Sequence, residues 1–251
     1  VIFRRRKPDT PDSPESPDSA SSADIDDLEV GDDATDPGAV ADHEESDDDG
    51  GDAATDRWAE YDASRDWRDD GPFDIEEVDL DDDTVPRLDL GALIVTPAPE
   101  MELQIVADPE TGQGMTLLAA TGSSGIQVTL FAAPSSSGFA GDIAAEIIEE
   151  TLRHGGTAER AEGPFGTELR RVVPAEDANG KQGMAPMRDW FAQGPRWLLN
   201  GRLMGQAAVD VSGKGEVEIL DEFFRNLIVR RQGGAMVPGQ VIGLTIPSSA
   251  T

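Results

Sequence analysis

Charge is spread so unevenly along this chain that it decides which part can fold. Residues 1–84 carry 31 of the 51 carboxylates but only 7 of the 20 basic residues, so −24 of the formal −31 falls there. A segment with that much like charge and few branched or aromatic residues buries too little apolar surface to offset the entropy of ordering. Sequence alone therefore predicts an acidic Pro/Ser-rich disordered tail over residues 1–84. Residues 85–251 hold 20 acids against 13 bases and alternate apolar with polar positions. They are expected to form a single domain around one core.

Absent residue types narrow the chemistry. There is no cysteine, which excludes disulfides, thiolate metal sites and cysteine nucleophiles. Val1-Ile2-Phe3-Arg4-Arg5-Arg6-Lys7 carries the charge of a signal peptide's first region, but acidic Pro/Ser sequence follows in place of an apolar run. No stretch is apolar for the roughly 18 residues that suggest a transmembrane helix. The expectation is a cytoplasmic protein with no secretion signal and no membrane span.

Within the tail, Pro8, Pro11, Pro14 and Pro17 recur at the polyproline II period, as a stiff spacer would. Asp47-Asp48-Asp49 precedes Gly50-Gly51 but lacks the alternating ligands of a calcium loop. His43 stands alone, so no metal site is expected. Residues 56–70 differ: Trp58, Tyr61 and Arg65 fall at helical spacing behind Asp56, a candidate N-cap, and Trp67 follows. Two of the four tryptophans and the only tyrosine thus sit in a region otherwise poor in large apolar groups. Such aromatics either dock on the chain's own domain or form a recognition element for a partner. Trp58, Tyr61 and Trp67 are taken as partner-binding candidates.

In the domain, Met101, Leu103 and Ile105 alternate with polar residues as a half-buried strand does. Residues 115–120 and 125–131 read as two more strands joined by Gly122-Ser123-Ser124. The period then becomes helical: Phe139, Ile143, Ile147 and Thr151, with Ile148 and Leu152 beside them, form one stripe that Gly155 ends. Strand-like runs follow at 157–161, 167–173, 184–192 and 196–203, with Asn179-Gly180 as a hairpin signal. Val217, Leu220, Phe224 and Leu227 space a second helix over 214–227, and 241–246 is expected to be an edge strand. This order predicts an α+β fold, a mostly antiparallel β-sheet with two amphipathic helices packed on it.

Few residue patterns point to chemistry. Gly213-Lys214-Gly215 lacks the spacing and the following Ser or Thr of a phosphate loop. His154, the only histidine in the domain, is placed to cap the first helix at its negative end. Asp142, Glu146, Glu149 and Glu150 lie on that helix's polar face, where solvation explains them better than acid–base work. Arg170-Arg171 follows Glu168, and Arg188, Arg196 and Arg202 come from neighbouring strands; gathered on one sheet face such guanidiniums bind an anion, with Arg170, Arg171 and Arg196 as the candidate anion site, and otherwise they pair with the surplus of acids. Glu168 beside them would complete an Arg/Glu site of a small-molecule-binding protein or hydrolase. No cofactor is implied. Direct nucleic-acid binding is not expected from a domain of net charge −7 carrying an acidic tail, although such a tail can imitate nucleic acid.

Several segments together carry a resemblance: Gly71-Pro72-Phe73-Asp74, Arg87-Leu88-Asp89-Leu90-Gly91-Ala92-Leu93, Phe131-Ala132-Ala133-Pro134, Glu162-Gly163-Pro164-Phe165-Gly166-Thr167-Glu168-Leu169 and Gly194-Pro195-Arg196-Trp197. Over roughly residues 71–246 the chain is similar to an uncharacterised actinobacterial family, domain of unknown function 3710. That resemblance implies no established activity, cofactor or catalytic residue. The order of strands and helices also resembles the α/β sandwich of the Mog1/PsbP type, a fold of binding and assembly factors. The expectation is a non-enzymatic interaction or adaptor domain with a regulatory acidic arm, monomeric or weakly oligomeric, that binds a protein partner.

Overall fold

The computed structural model describes residues 50–80, 84–136, 138–176, 180–231 and 233–246. The fold is α+β. Seven antiparallel strands form the main sheet, in the order β4-β5-β6-β10-β9-β8-β7. They are β4 (Glu102–Ala107), β5 (Gly114–Thr121), β6 (Ser124–Ala132), β7 (Thr157–Gly163), β8 (Gly166–Glu176), β9 (Gln182–Gly194) and β10 (Trp197–Gly205). A small mixed sheet, ordered β1-β11-β3-β2, is built from β1 (Phe73–Asp74), β2 (Leu88–Asp89), β3 (Leu93–Val95) and β11 (Ile228–Val229).

Alternation along the long strands gives the sheet two apolar faces. On one, Leu117, Ala119, Ile126, Val128, Leu130, Trp190, Trp197 and Leu199 are buried against the small sheet and α4 (Glu216–Arg225), which follows the short α3 (Gln206–Val209). The spacing of Val217, Leu220 and Phe224 aims that helix at them. Gly201 makes room for this contact: a Cβ there would lie 2.7 Å from the Phe224 ring. On the other face, Leu169, Phe191 and Leu198 meet Ile143 and Ala144 of α2 (Phe139–Arg153). Leu152, expected in the stripe of α2, is exposed, because the stripe drifts off the sheet at the helix end. His154 is the C-cap of α2, its Nδ1 lying 2.8 Å from the Glu150 carbonyl oxygen. The four carboxylates on the polar face of α2 are exposed.

Three expectations are corrected. First, the ordered part does not begin at Val85. Phe73 is 0% exposed and β1 pairs in parallel with β11. Asp74 caps a 3-10 turn over Ile75–Glu77 in a capping box, and the indole Nε1 of Trp197 donates to its Oδ2 at 2.8 Å. The acidic composition around Phe73 hid one fully buried ring. Second, α1 runs over Gly50–Ala63, so Asp56 lies inside a helix and Arg65 beyond its end. Third, residues 241–246 make no edge strand. Their backbone bonds in turn to Leu130, Gly114 and Leu90, leaving only isolated bridges at Val241 and Leu244. Among the described residues, no helix is long and apolar enough to cross a membrane. Residues 1–49, with the proline repeat and His43, lie outside the described residues, as does Asn179.

Candidate functional site: the corner where the aromatic arm meets the sheet

The hairpin of β7 and β8 turns through Pro164-Phe165, closed by the pair Gly163 and Gly166. In a two-residue hairpin the closing pair exchanges its hydrogen bonds, so the next pair, Glu162 and Thr167, turns its N–H groups outward. The ladder from β8 to β9 starts only at Leu169 and Asp189. Thr167 N–H is thereby left without a strand partner, and it donates instead to Asp62 Oδ1 at 2.7 Å. Gly166, at φ 99°, leaves the space: a Cβ there would come 2.8 Å from Asp62 Oδ1 and 3.6 Å from the Trp67 ring.

That one carboxylate anchors the end of α1 to the sheet, and the aromatic residues assemble over it. Trp67 Nε1 donates to the Asp62 carbonyl oxygen at 3.1 Å. Tyr61 stands 4.7 Å from Trp67 and 6.1 Å, edge-on, from Trp58. Arg65 lies 3.7 Å over the Trp67 ring and Arg57 5.1 Å over Trp58. The three expected recognition residues are thus brought together, docked on their own domain, and each stays half-exposed. Burial pushes the Tyr61 hydroxyl pKa up from its ordinary value, and the Glu162 carboxylate pushes it further the same way. Arg68 continues the attachment. Its buried guanidinium forks onto Glu77 at 3.0 and 3.1 Å, donates to the Pro72 carbonyl oxygen at 2.7 Å and lies 5.0 Å over Trp197.

Behind the corner lies a half-open cleft of about 360 Å³, lined in part by Glu162, Arg170, Arg188, Trp190, Glu218 and Asp221. Beside it Glu168, 1% exposed, is saturated. Its carboxylate accepts from Arg170 Nε at 2.9 Å, Arg188 Nε at 3.2 Å, Arg188 Nη2 at 2.7 Å and Trp190 Nε1 at 3.0 Å. Arg188 Nη1 reaches on to the Asp210 carbonyl oxygen at 2.8 Å, tying the loop before α4 to the sheet. The hydroxyl and amide of Ser212, with Arg188 helping, hold the Asp210 carboxyl below its ordinary value. A second buried cluster lies on the opposite face. Asp189 accepts from Arg171 Nε at 2.6 Å and Arg202 Nε at 3.1 Å, and Arg171 Nη1 reaches Thr151 of α2 at 3.1 Å.

The candidate anion site is not assembled as the sequence suggested. Arg170 and Arg171 are adjacent in β8 and so point to opposite faces. Arg171 is spent on Asp189. Arg196 sits exposed in the turn between β9 and β10, at φ 63°, far along the strand from Met187, the partner of Arg171. Of the three, Arg170 keeps an open fork: only its Nε is bonded to Glu168, and its side chain is 39% exposed. Sequence reading missed Asp62, whose role depends on a donor freed by the splitting of two strands. Arg188, which the sequence offered as one of several strand arginines able to pair with acids, is the cation that bonds Glu168 through two nitrogens. Among the described residues, no group of three or more His, Asp or Glu side chains is gathered to hold a metal ion.

A family model described as protein of unknown function (DUF3710) matches residues 71–251. The chain belongs to the DUF3710 family. The match covers the main sheet, the cleft and the Thr167 corner, whereas α1 and its aromatic cluster precede it. No curated protein and no solved structure matches the chain.

Proposed function

We propose that this DUF3710 chain is a cytoplasmic, non-enzymatic protein-interaction module, in which the corner between the aromatic arm and the β7–β8 hairpin is the contact surface. The observation that carries this is the stack of Trp58, Tyr61 and Trp67, with Arg57 and Arg65 lying over its indoles. Trp, Tyr and Arg are the residues that dominate binding energy at protein interfaces. Here the three rings are half-exposed beneath the exposed Arg57 and Arg65, and Asp62 fixes the end of α1 that carries them, so little rotamer freedom of the rings remains to be lost on binding. The acidic residues preceding α1 would steer a basic partner towards the corner.

A photo-crosslinking amino acid in place of Trp58, compared with one in place of the exposed Glu149 on α2, tests this in cells. The expected result is a discrete adduct from position 58 that is lost when Trp67→Ala is added. The same adducts from both positions, or none from position 58, would refute the reading.

A second reading, a small-molecule-binding protein or hydrolase, is favoured by the open fork of Arg170 in the cleft. It predicts that a carboxylate or phosphate ligand raises the melting temperature of the wild-type chain but not of Arg170→Gln. Equal shifts in both would dismiss it.

A further inference from the structure

The two edges of the main sheet are not alike. β7 ends it on one side with Glu159, Arg160 and Glu162, the kind of charged side chains that keep an edge from pairing with another chain. β4, on the other side, carries a single charge, Glu102, and leaves Val106 46% exposed. Its backbone is open as well. The turn Gly122-Ser123 is closed by the pair Thr121 and Ser124, so Thr116, Leu118 and Ala120 of β5 bond towards β4 and occupy Val106, Gln104 and Glu102. Leu103 and Ile105 therefore turn their N–H and C=O groups outward, where no strand pairs with them among the described residues. Their side chains, with that of Met101, are half-buried at the rim of the core.

We propose that β4 is an edge for a second copy of this chain, and that two copies pair antiparallel through it into one continuous sheet. The strand is its own complement. A two-fold axis normal to the sheet keeps each face with its like, and the ladder is regular up to the register shift between Val106 and Ala107. The register that pairs all the regular residues, 102–106, sets the axis at Gln104. Leu103 then exchanges both outward backbone bonds with the second copy's Ile105, and their side chains extend the apolar rim. On the outer face Gln104 meets Gln104 and Glu102 meets Val106, so no like charges are opposed. The same operation on β7 would set Arg160 against its own copy. The acidic arm does not bar the approach, because it docks at β8, five strand spacings or about 24 Å away, beyond the roughly 8 Å over which exposed charges act at physiological ionic strength. So short a ladder makes a small contact, and the dimer is weak and concentration-dependent.

The test is sedimentation equilibrium of the full chain in about 0.15 M salt, over about 1 to about 300 μM. The mean mass is expected to rise from that of one chain towards that of two. Gln104 is exposed, on the face away from the core, so Gln104→Lys leaves the fold intact and opposes two like charges on the axis. It should weaken the dimer about fivefold, as should Gln104→Glu, whereas a mixture of the two variants should associate more tightly than either alone. A wild-type chain that stays single over the whole range overturns the proposal, and so does a dimer that neither variant weakens. Hydrogen exchange checks the edge without any substitution. The Leu103 and Ile105 amides must gain protection as concentration rises, and protection gained at β7 or at the aromatic arm in their place overturns it. The cross-link from position 58 reads the corner at the far side of the sheet, so the interaction-module reading stands or falls separately.

Discussion

Replacing Glu168 by Gln keeps the side chain's shape and removes its charge, which isolates what the buried cluster contributes. Of the four bonds it accepts, three come from Arg188 and Trp190, both nearly inaccessible, and one from the more exposed Arg170. The amide turns its NH2 towards at least one donor and leaves the Arg188 charge without a carboxylate, facing only neutral acceptors: the one amide oxygen and the Ala207 and Asp210 carbonyl oxygens. Breaking a buried pair in this way costs about 3–5 kcal/mol, whereas the exposed Arg170 adds no more than about 1 kcal/mol. Against a domain stability of about 5–15 kcal/mol, that is a large fraction. It corresponds to a fall in melting temperature of roughly 6–20 °C for a domain of this size. Urea titrations followed by tryptophan fluorescence and far-ultraviolet circular dichroism would measure it. The companion is Glu168→Leu/Arg188→Met, which removes both charges and leaves mainly the Trp190 N–H unpaired, at about 1–3 kcal/mol. The double variant should be more stable than Glu168→Gln alone. If Glu168→Gln lies within about 1 kcal/mol of wild type, or if the double variant falls as far as the single losses added together, the electrostatic account of this cluster is wrong.

Phe73→Ala should destabilise the chain by about 3–5 kcal/mol, since the ring is fully buried in the small sheet; a loss indistinguishable from that of a surface substitution in urea would place Phe73 outside the core. Glu216 reaches back from α4 to the Ser124 hydroxyl and to the amide and hydroxyl of Ser123, and these bonds hold its carboxyl below the ordinary 4.5. A depressed folded value stabilises above the unfolded one, so the advantage of wild type over Glu216→Gln should be full above about pH 4.5 and fade as pH falls through the folded value; an advantage that grows with acid would reverse the sign. Because Tyr61 is the only tyrosine, tyrosinate absorbance reports it alone. Its midpoint should lie above 10.0 and move down in Trp67→Ala; a wild-type midpoint at or below 10.0 would mean the arm is not docked.

Much of the main sheet was legible because its strands are long and each buries a different set of residues on its two faces. Ile126, Val128 and Leu130 announce one strand as plainly as Val217, Leu220 and Phe224 announce a helix. The small sheet was not, since two- and three-residue strands such as Phe73–Asp74 and Ile228–Val229 are too short to show a period. Their pairing is parallel and joins opposite ends of the domain, which local pattern cannot encode. The arginines failed for another reason. Arg170 and Arg171 look equivalent in a string of letters, but the two-residue period of a strand sends one to a solvent cleft and the other to Asp189 beneath α2.

Composition and periodicity by themselves determined that the charge sits ahead of a cysteine-free α+β domain, that two helices cover an antiparallel sheet, and that aromatic residues mark the junction. Only the tertiary structure decided where that junction attaches. Asp62 finds Thr167 because β8 and β9 part at that residue and free one amide, and Glu168 becomes a buried anchor because strands adjacent in space bring Arg188 and Trp190 to it. Both outcomes depend on the register between strands, and register is fixed by the packing of the whole sheet.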